Sequence, residues 1–296
     1  MRLRSAADLL GVGLLATVLA TGIPVPGAAS TGACSATLSQ DIPRRAPEAL
    51  AGSALMERMG QLSGTDRDNA VVQQVLQGNV PGFLRQLQPV SIAATLASGQ
   101  QVLVTLCVTP EYLSIGDDQD FVRMPMGLSA AARIAQEFGF LLPTTRMVDL
   151  IYRQAQRRVA PSPMKPTSLM SSTAYLVEHN QTVARQLAET AGAGTALAAG
   201  HKKDIVLSSR LISKPGRVAI YGWHRTSGRP IQPLSTVHGA NYADYSHGVR
   251  LVSQTAFVNG EPRALAEIMR DRELSGFVSD EGPLENVQGL LASLAR

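Results

Sequence analysis

The hydrophobic period of this chain switches once, near position 88, and the switch restricts the folds available to it. Between Ala46 and Gln88 the apolar residues Leu50, Leu55, Met59 and Leu62 recur at three to five positions. That spacing lays one apolar stripe along a helix. From Pro89 onward the period shortens. Pro89 to Leu96 and Gln101 to Val108 are β-rich, and Ser98-Gly99 between them reads as a hairpin turn. Helices gathered ahead of strands predict an α+β protein, with a helical N-terminal part and a mixed or antiparallel sheet flanked by helices, rather than a regular βαβ alternation.

The remaining pattern keeps this character. Phe121 to Met126 reads as a short strand. A helix through Phe138 is predicted with Ser129 as its cap and Gly139 as its stop, and Pro143-Thr144-Thr145 introduces a second helix. Pro161, Pro163 and Pro166 make a stiff connector at 161–167, the one internal place where a single globular domain could divide into lobes. A long helix is predicted from Ser168 to about Ala191. Strands follow at Asp204 to Ile212, Arg217 to Trp223 and Tyr245 to Val252, and helices at Pro262 to Arg270 and Leu284 to Leu294 close the chain.

The first thirty residues read as a leader rather than as fold. Arg2 and Arg4 precede an apolar run from Leu9 to Ile23, and Gly27-Ala28-Ala29-Ser30 supplies small side chains for cleavage. A secreted or periplasmic protein is expected, with no membrane span after cleavage. Lys and Arg number 27 against 23 Asp and Glu, a net charge of +4. The leader holds Arg2, Arg4 and Asp8, so the mature excess is smaller still. Such a balance offers no basic footprint for nucleic acid. The two cysteines, Cys34 and Cys107, are expected to pair in an oxidising compartment, with a buried free thiol at Cys107 as the alternative.

Chemistry concentrates late in the chain. All five histidines lie between positions 179 and 247. Gly200-His201-Lys202-Lys203-Asp204 precedes a predicted strand and holds two of only four lysines. Tyr221-Gly222-Trp223-His224 ends another strand and contains the single tryptophan. The densest stretch runs from His238 to Arg250, with His238, Tyr242, Asp244, Tyr245, Ser246, His247 and Arg250 in thirteen residues. If Asp244 to Val252 is extended, Asp244, Ser246, Gly248 and Arg250 share one face. Acid, hydroxyl and guanidinium would then stand together.

His238-Gly239, followed by Ser246-His247-Gly248 and Arg250, resembles the catalytic stretch of the L,D-transpeptidase family. Val249 stands where that family places its nucleophilic cysteine, and the arginine comes one residue early. Without the thiol, acyl transfer by that mechanism is unavailable. What the resemblance implies is a cell-wall substrate and a cleft lined by His238, His247 and Arg250.

Three chemistries stay open on the residues themselves. Histidines with Asp204 or Asp244 are suitable zinc ligands, although no compact zinc spacing is present. Ser246 could serve as a nucleophile with a histidine base and an aspartate orienter. Metal-free acid–base work by histidine and aspartate needs no set spacing. The expected protein is an exported hydrolase acting on an extracellular or cell-envelope polymer or peptide. Its catalytic residues would be drawn from His201, Asp204, His224, His238, Asp244, Ser246, His247 and Arg250. The alternative is a non-catalytic exported binding or scaffold protein derived from an enzyme fold.

Overall fold

A computed structural model describes Cys34, residues 42–192 and residues 194–295. The predicted leader lies outside the described residues. Helices α1 (Gly52–Arg58) and α2 (Gly64–Leu76) lie ahead of the first strand. The hairpin follows where the period changes: β1 (Gln88–Thr95) pairs antiparallel with β2 (Gln101–Val108) along its whole length. Gly99 takes φ +84° in the turn, a left-handed backbone that glycine adopts without a Cβ clash.

Strand β2 is the spine of a six-stranded sheet. The short strands β3 (Ser114–Gly116) and β4 (Phe121–Arg123) form a separate antiparallel pair. Helix α3 (Leu128–Glu137) leads to β5 (Phe140–Leu141), and α4 (Thr145–Gln154) to β6 (Arg157–Arg158). The long helix α5 (Thr173–Ala188) precedes β7 (Ala198–Ala199), which pairs parallel with β6. Then come β8 (Lys203–Ile205), the short helix α6 (Arg210–Ser213), β9 (Ile220–His224), β10 (Pro230–Ser235) and β11 (His247–Gly248). The C-terminal part holds β12 (Val252–Ser253), β13 (Thr255–Val258), β14 (Glu261–Ala264), α7 (Leu265–Arg270), α8 (Ser275–Val278) and α9 (Val287–Leu294).

The first sheet runs β14-β13-β2-β12-β5 with β1 on the other side of β2, and its pairings are antiparallel. A second sheet runs β10-β9-β8-β11, antiparallel except for the parallel β8–β11 contact. The fold is therefore α+β, with mostly antiparallel sheets and flanking helices. One apolar cluster reaches from Leu55 and Val71 in the N-terminal helices through Val104, Leu106 and Ile134 to Leu291 in the last.

Local chemistry sets several boundaries. Thr144 caps α4, its Oγ1 accepting from Met147 N at 3.2 Å, as the Pro-Thr-Thr start predicts. Ser172, not Ser168, caps α5, so the residues after the prolines stay outside the helix. Gly127 rather than Ser129 stands at the N-cap of α3, because Asp68 Oδ2 already accepts the Gly127 N–H at 2.8 Å.

Cys34 and Cys107 form a disulfide that ties Cys34 to β2 of the first sheet. The two are 73 residues apart, a loop long enough that closing it removes about 4 kcal/mol of unfolded-state freedom. Among the described residues no helix is long and apolar enough to cross a membrane.

Candidate functional site

The bend His201–Lys202 and the first two residues of β8, Lys203 and Asp204, organise the polar interior, because their four consecutive side chains reach different partners. His201 Nε2 lies 2.8 Å from Glu111 Oε1. Lys202 Nζ donates to the Tyr245 carbonyl at 2.6 Å and reaches His179 Nδ1 at 3.2 Å. Lys203 places its ammonium 5.0 Å from the centre of the Trp223 ring. Asp204 Oδ2 accepts the Tyr112 hydroxyl at 2.8 Å. A polar run this rich stays inside only because each member finds a partner.

The eight residues singled out by sequence separate into three groups around this strand. The first holds His201, Asp204 and Arg250, all buried. Arg250 donates to the carbonyls of Thr109 and Ala198 at 2.8 and 2.6 Å, and its guanidinium sits 4.3 Å from the Tyr112 ring centre. Glu111 ties this group together, accepting from Arg123 at 3.0 Å as well as facing His201. Burial pushes the Glu111 pKa up, but the charges of Arg123 and His201 outweigh it and hold it well below the usual carboxylate range. Burial lowers the His201 pKa against the pull of Glu111. Asp204 is driven the other way, up to about 6, by burial.

The second group is the stretch His238 to His247. Asp244 is its hub. Oδ1 accepts from both Ser246 N at 2.8 Å and Ser246 Oγ at 2.5 Å, while Oδ2 accepts the Tyr242 hydroxyl at 3.2 Å. This is a turn closed by an aspartate side chain, not the predicted strand. Only His247–Gly248 and Val252–Ser253 are extended strand within 244–252. The shared face expected for Asp244, Ser246, Gly248 and Arg250 does not form, because the turn rotates the first two away from the ladder. Arg250 takes its hydrogen bonds in the first group rather than from the histidine-rich stretch. Gly248 instead fills a tight contact, where a Cβ would lie 2.6 Å from Tyr112 Cδ1 and 2.8 Å from Lys202 Cβ.

His247 is fully buried, and both its ring nitrogens lack a hydrogen-bond partner. Burial lowers its pKa to about 4 despite the neighbouring Asp244 charge, so the ring is neutral near pH 7. His238 is only partly buried. Tyr242 stacks on it at 4.3 Å and 15°, and the His238 ring centre lies 6.4 Å from that of His247. Unpaired buried atoms crowd the same neighbourhood. They include His179 Nε2, Trp223 Nε1, Arg67 Nε and Asp68 Oδ1. Each such atom costs about 1–3 kcal/mol unless something else completes it. Trp223 also holds φ +56°, a left-handed backbone that is costly for a bulky residue and that collects at functional sites.

The proline segment covers this group from outside. Tyr245 Oη accepts from Met164 N at 2.8 Å and donates to Met164 O at 3.3 Å, and Tyr245 N donates to Met170 O at 3.1 Å. Tyr175 Oη adds a bond to Lys165 O at 3.2 Å.

The third group contains His224 alone of the eight. Its Nε2 lies 2.8 Å from Asp149 Oδ1, Tyr221 Oη donates to the same carboxylate, and Tyr152 stacks on the ring at 4.4 Å. This group lines an open cavity of about 360 Å³. Sequence reading paired the histidines with Asp204 and Asp244. It missed Asp149, Glu111, Tyr112 and Arg123, which come from elements 75 residues or more away from their histidine or aspartate partners, or join them through such a residue. Among the described residues no three His, Cys, Asp or Glu side chains are placed to hold a metal ion. Comparison with protein-family models, with curated proteins and with solved structures finds no match to this chain.

Proposed function

We propose that this protein is an exported hydrolase of an extracellular or cell-envelope polymer, glycan or peptide-linked, acting at the His238–His247 pair. One observation carries the reading: a buried, neutral His247 with two unpaired nitrogens stands beside a partly exposed His238. In this reading His238 is the general base, held flat by Tyr242. It takes a proton from water as the oxygen adds to the substrate carbonyl or equivalent centre. His247 stays behind His238, buried and neutral, its ring edge-on to Tyr242 at 5.7 Å, and acts by fixing the Tyr242–His238 stack rather than by meeting substrate. His238 then returns the proton to the leaving group as its bond breaks. Asp244 fixes Tyr242, and Ser246 positions Asp244, its hydroxyl being committed to that carboxylate. Export is supported by the leader pattern and the Cys34–Cys107 disulfide.

The test is release of soluble fragments from purified cell-wall sacculi and from a panel of polysaccharides and peptides. His238→Ala and His247→Leu are expected to lower release by about 100-fold or more while the proteins stay folded. Release that persists in both variants overturns the assignment. A binding or scaffold role is the second reading, favoured by how completely His201, Asp204 and Arg250 are spent on internal partners. It predicts retention on sacculi with no fragment released by the wild-type protein.

A further inference from the structure

A second site lies apart from the His238–His247 group. The cavity at His224 is walled by the C-terminal end of α4 and by the turn between β9 and β10. Its walls are tied together: Tyr152 Oη donates to Arg225 O at 2.7 Å, and Gly228 N donates to Arg225 O at 2.8 Å. The floor is the buried His224 ring, clamped between the Tyr152 face and Asp149. Asp149 faces the cavity too, but it already accepts from His224 and Tyr221. Among the described residues no hydrogen-bond partner occupies His224 Nδ1.

Cationic groups dominate the rim. Arg153 and Arg158 both line the cavity and are exposed, and neither has a carboxylate partner among the described residues. Arg158 is steadied by the Ala155 carbonyl at 3.2 Å, by the Arg153 carbonyl, and by the Tyr152 ring 5.6 Å away. A guanidinium held in place by backbone and an aromatic face is prepared to meet an oxyanion. Ser227 and Thr226 add hydroxyls on the opposite wall.

We infer that this cavity binds an oxyanion group, a phosphate or carboxylate borne by a small molecule or by one unit of a polymer. Arg153 and Arg158 make the charge-assisted contacts, and His224 with Ser227 receives the polar body of the ligand. This site does not depend on the hydrolytic reading.

Isothermal calorimetry, together with the His224 ring resonances in an NMR spectrum, tests it using inorganic phosphate and glucuronate as probes. Either probe is expected to bind and to move the His224 resonances. Phosphate alone identifies a phosphate-bearing ligand, glucuronate alone a carboxylate-bearing one, and both together an oxyanion site indifferent to source. Arg153→Gln and Arg158→Gln are each expected to weaken binding by about tenfold. Arg153 makes no side-chain hydrogen bond among the described residues, so its variant keeps the test valid if the Arg158 variant fails to fold. Absence of any response at about 10 mM of both probes overturns the inference, as does unchanged affinity in the Arg153 variant.

Discussion

Lys202 holds its ammonium 3.2 Å from the Nδ1 of His179 in the interior of the protein. Burial first, and then the charge of Arg123, lower the Lys202 pKa to about 7. The unfolded chain keeps that proton until about pH 10.4, so between pH 7 and 10 the unfolded state binds more protons and stability rises with pH. Urea unfolding at pH 7 and pH 9 is expected to show this gain in the wild-type protein and to lose it in Lys202→Met. An equal pH response in the variant would rule out the lysine as its source.

The histidines act on the acid side. His247 and His179 titrate at about 4 and about 2 in the folded protein against an ordinary 6.5. As pH falls below 6.5 the unfolded chain takes up both protons first, so stability is lost. Asp204, raised to about 6, opposes them as the pH falls from 6 to 3.8, because there the folded state is the better proton acceptor. His201, also lowered by burial, and Glu111, held well below the carboxylate range, act in the same sense as these two histidines, and the net effect near pH 5 is acid lability. His247→Leu is expected to remove about 1.4 kcal/mol per pH unit from that slope. Since it also deletes two unpaired buried nitrogens, it is expected to match or exceed wild-type stability at pH 7. Chemical denaturation across pH 4.5–7 checks both statements.

Ser246 separates a nucleophile from a positioning residue. Its hydroxyl donates to Asp244, so Ser246→Ala is expected to cost about 1 kcal/mol and to leave fragment release within roughly tenfold of wild type. A loss as deep as that of His238→Ala would instead make the serine a reacting group. Thermal unfolding and release assays on the same preparations decide between them.

Glu111 is the counter-charge for a buried guanidinium. Glu111→Gln leaves Arg123 without its carboxylate and His201 without an ionised acceptor, and is expected to destabilise by about 3–5 kcal/mol. A midpoint unchanged in urea would mean that the first group contributes little to the fold.

Gly248 tests the packing between the first sheet's neighbours and β8. The Cβ of Gly248→Ala would enter the space of Tyr112 and Lys202 at under 3 Å from each, and is expected to cost about 1–3 kcal/mol. The unfolding midpoint measures it directly.

What the sequence made legible was local. The period change at position 88, the Ser98-Gly99 turn and the helix start at Pro143-Thr144-Thr145 are each written within a few residues, and the structure places a hairpin and a helix there. The polar and apolar residues of Tyr245 to Val252 alternate as in a strand, but only His247–Gly248 and Val252 of that stretch are extended. The Asp244-Tyr245-Ser246 order is itself a turn signal, since aspartate readily bonds the backbone two residues on. Asp204 to Ile212 failed similarly: three residues are strand, and Ser208-Ser209 opens the turn into α6. Pro262 likewise begins no helix, because it pairs with Phe257 in β14. The gathering of histidines marked the right region of the chain. Their partners were invisible because Glu111, Asp149 and Tyr112 carry no local pattern that distinguishes them from ordinary loop or helix residues; only the folded topology brings them to β8 and β9.

Tyr245 grips two things at once, the proline segment through its hydroxyl and amide, and Lys202 through its carbonyl. One tyrosine thus ties the backbone of the outer segment to the carbonyl that receives the buried ammonium, so a substitution at Tyr245 disturbs the surface strap and the interior cation together.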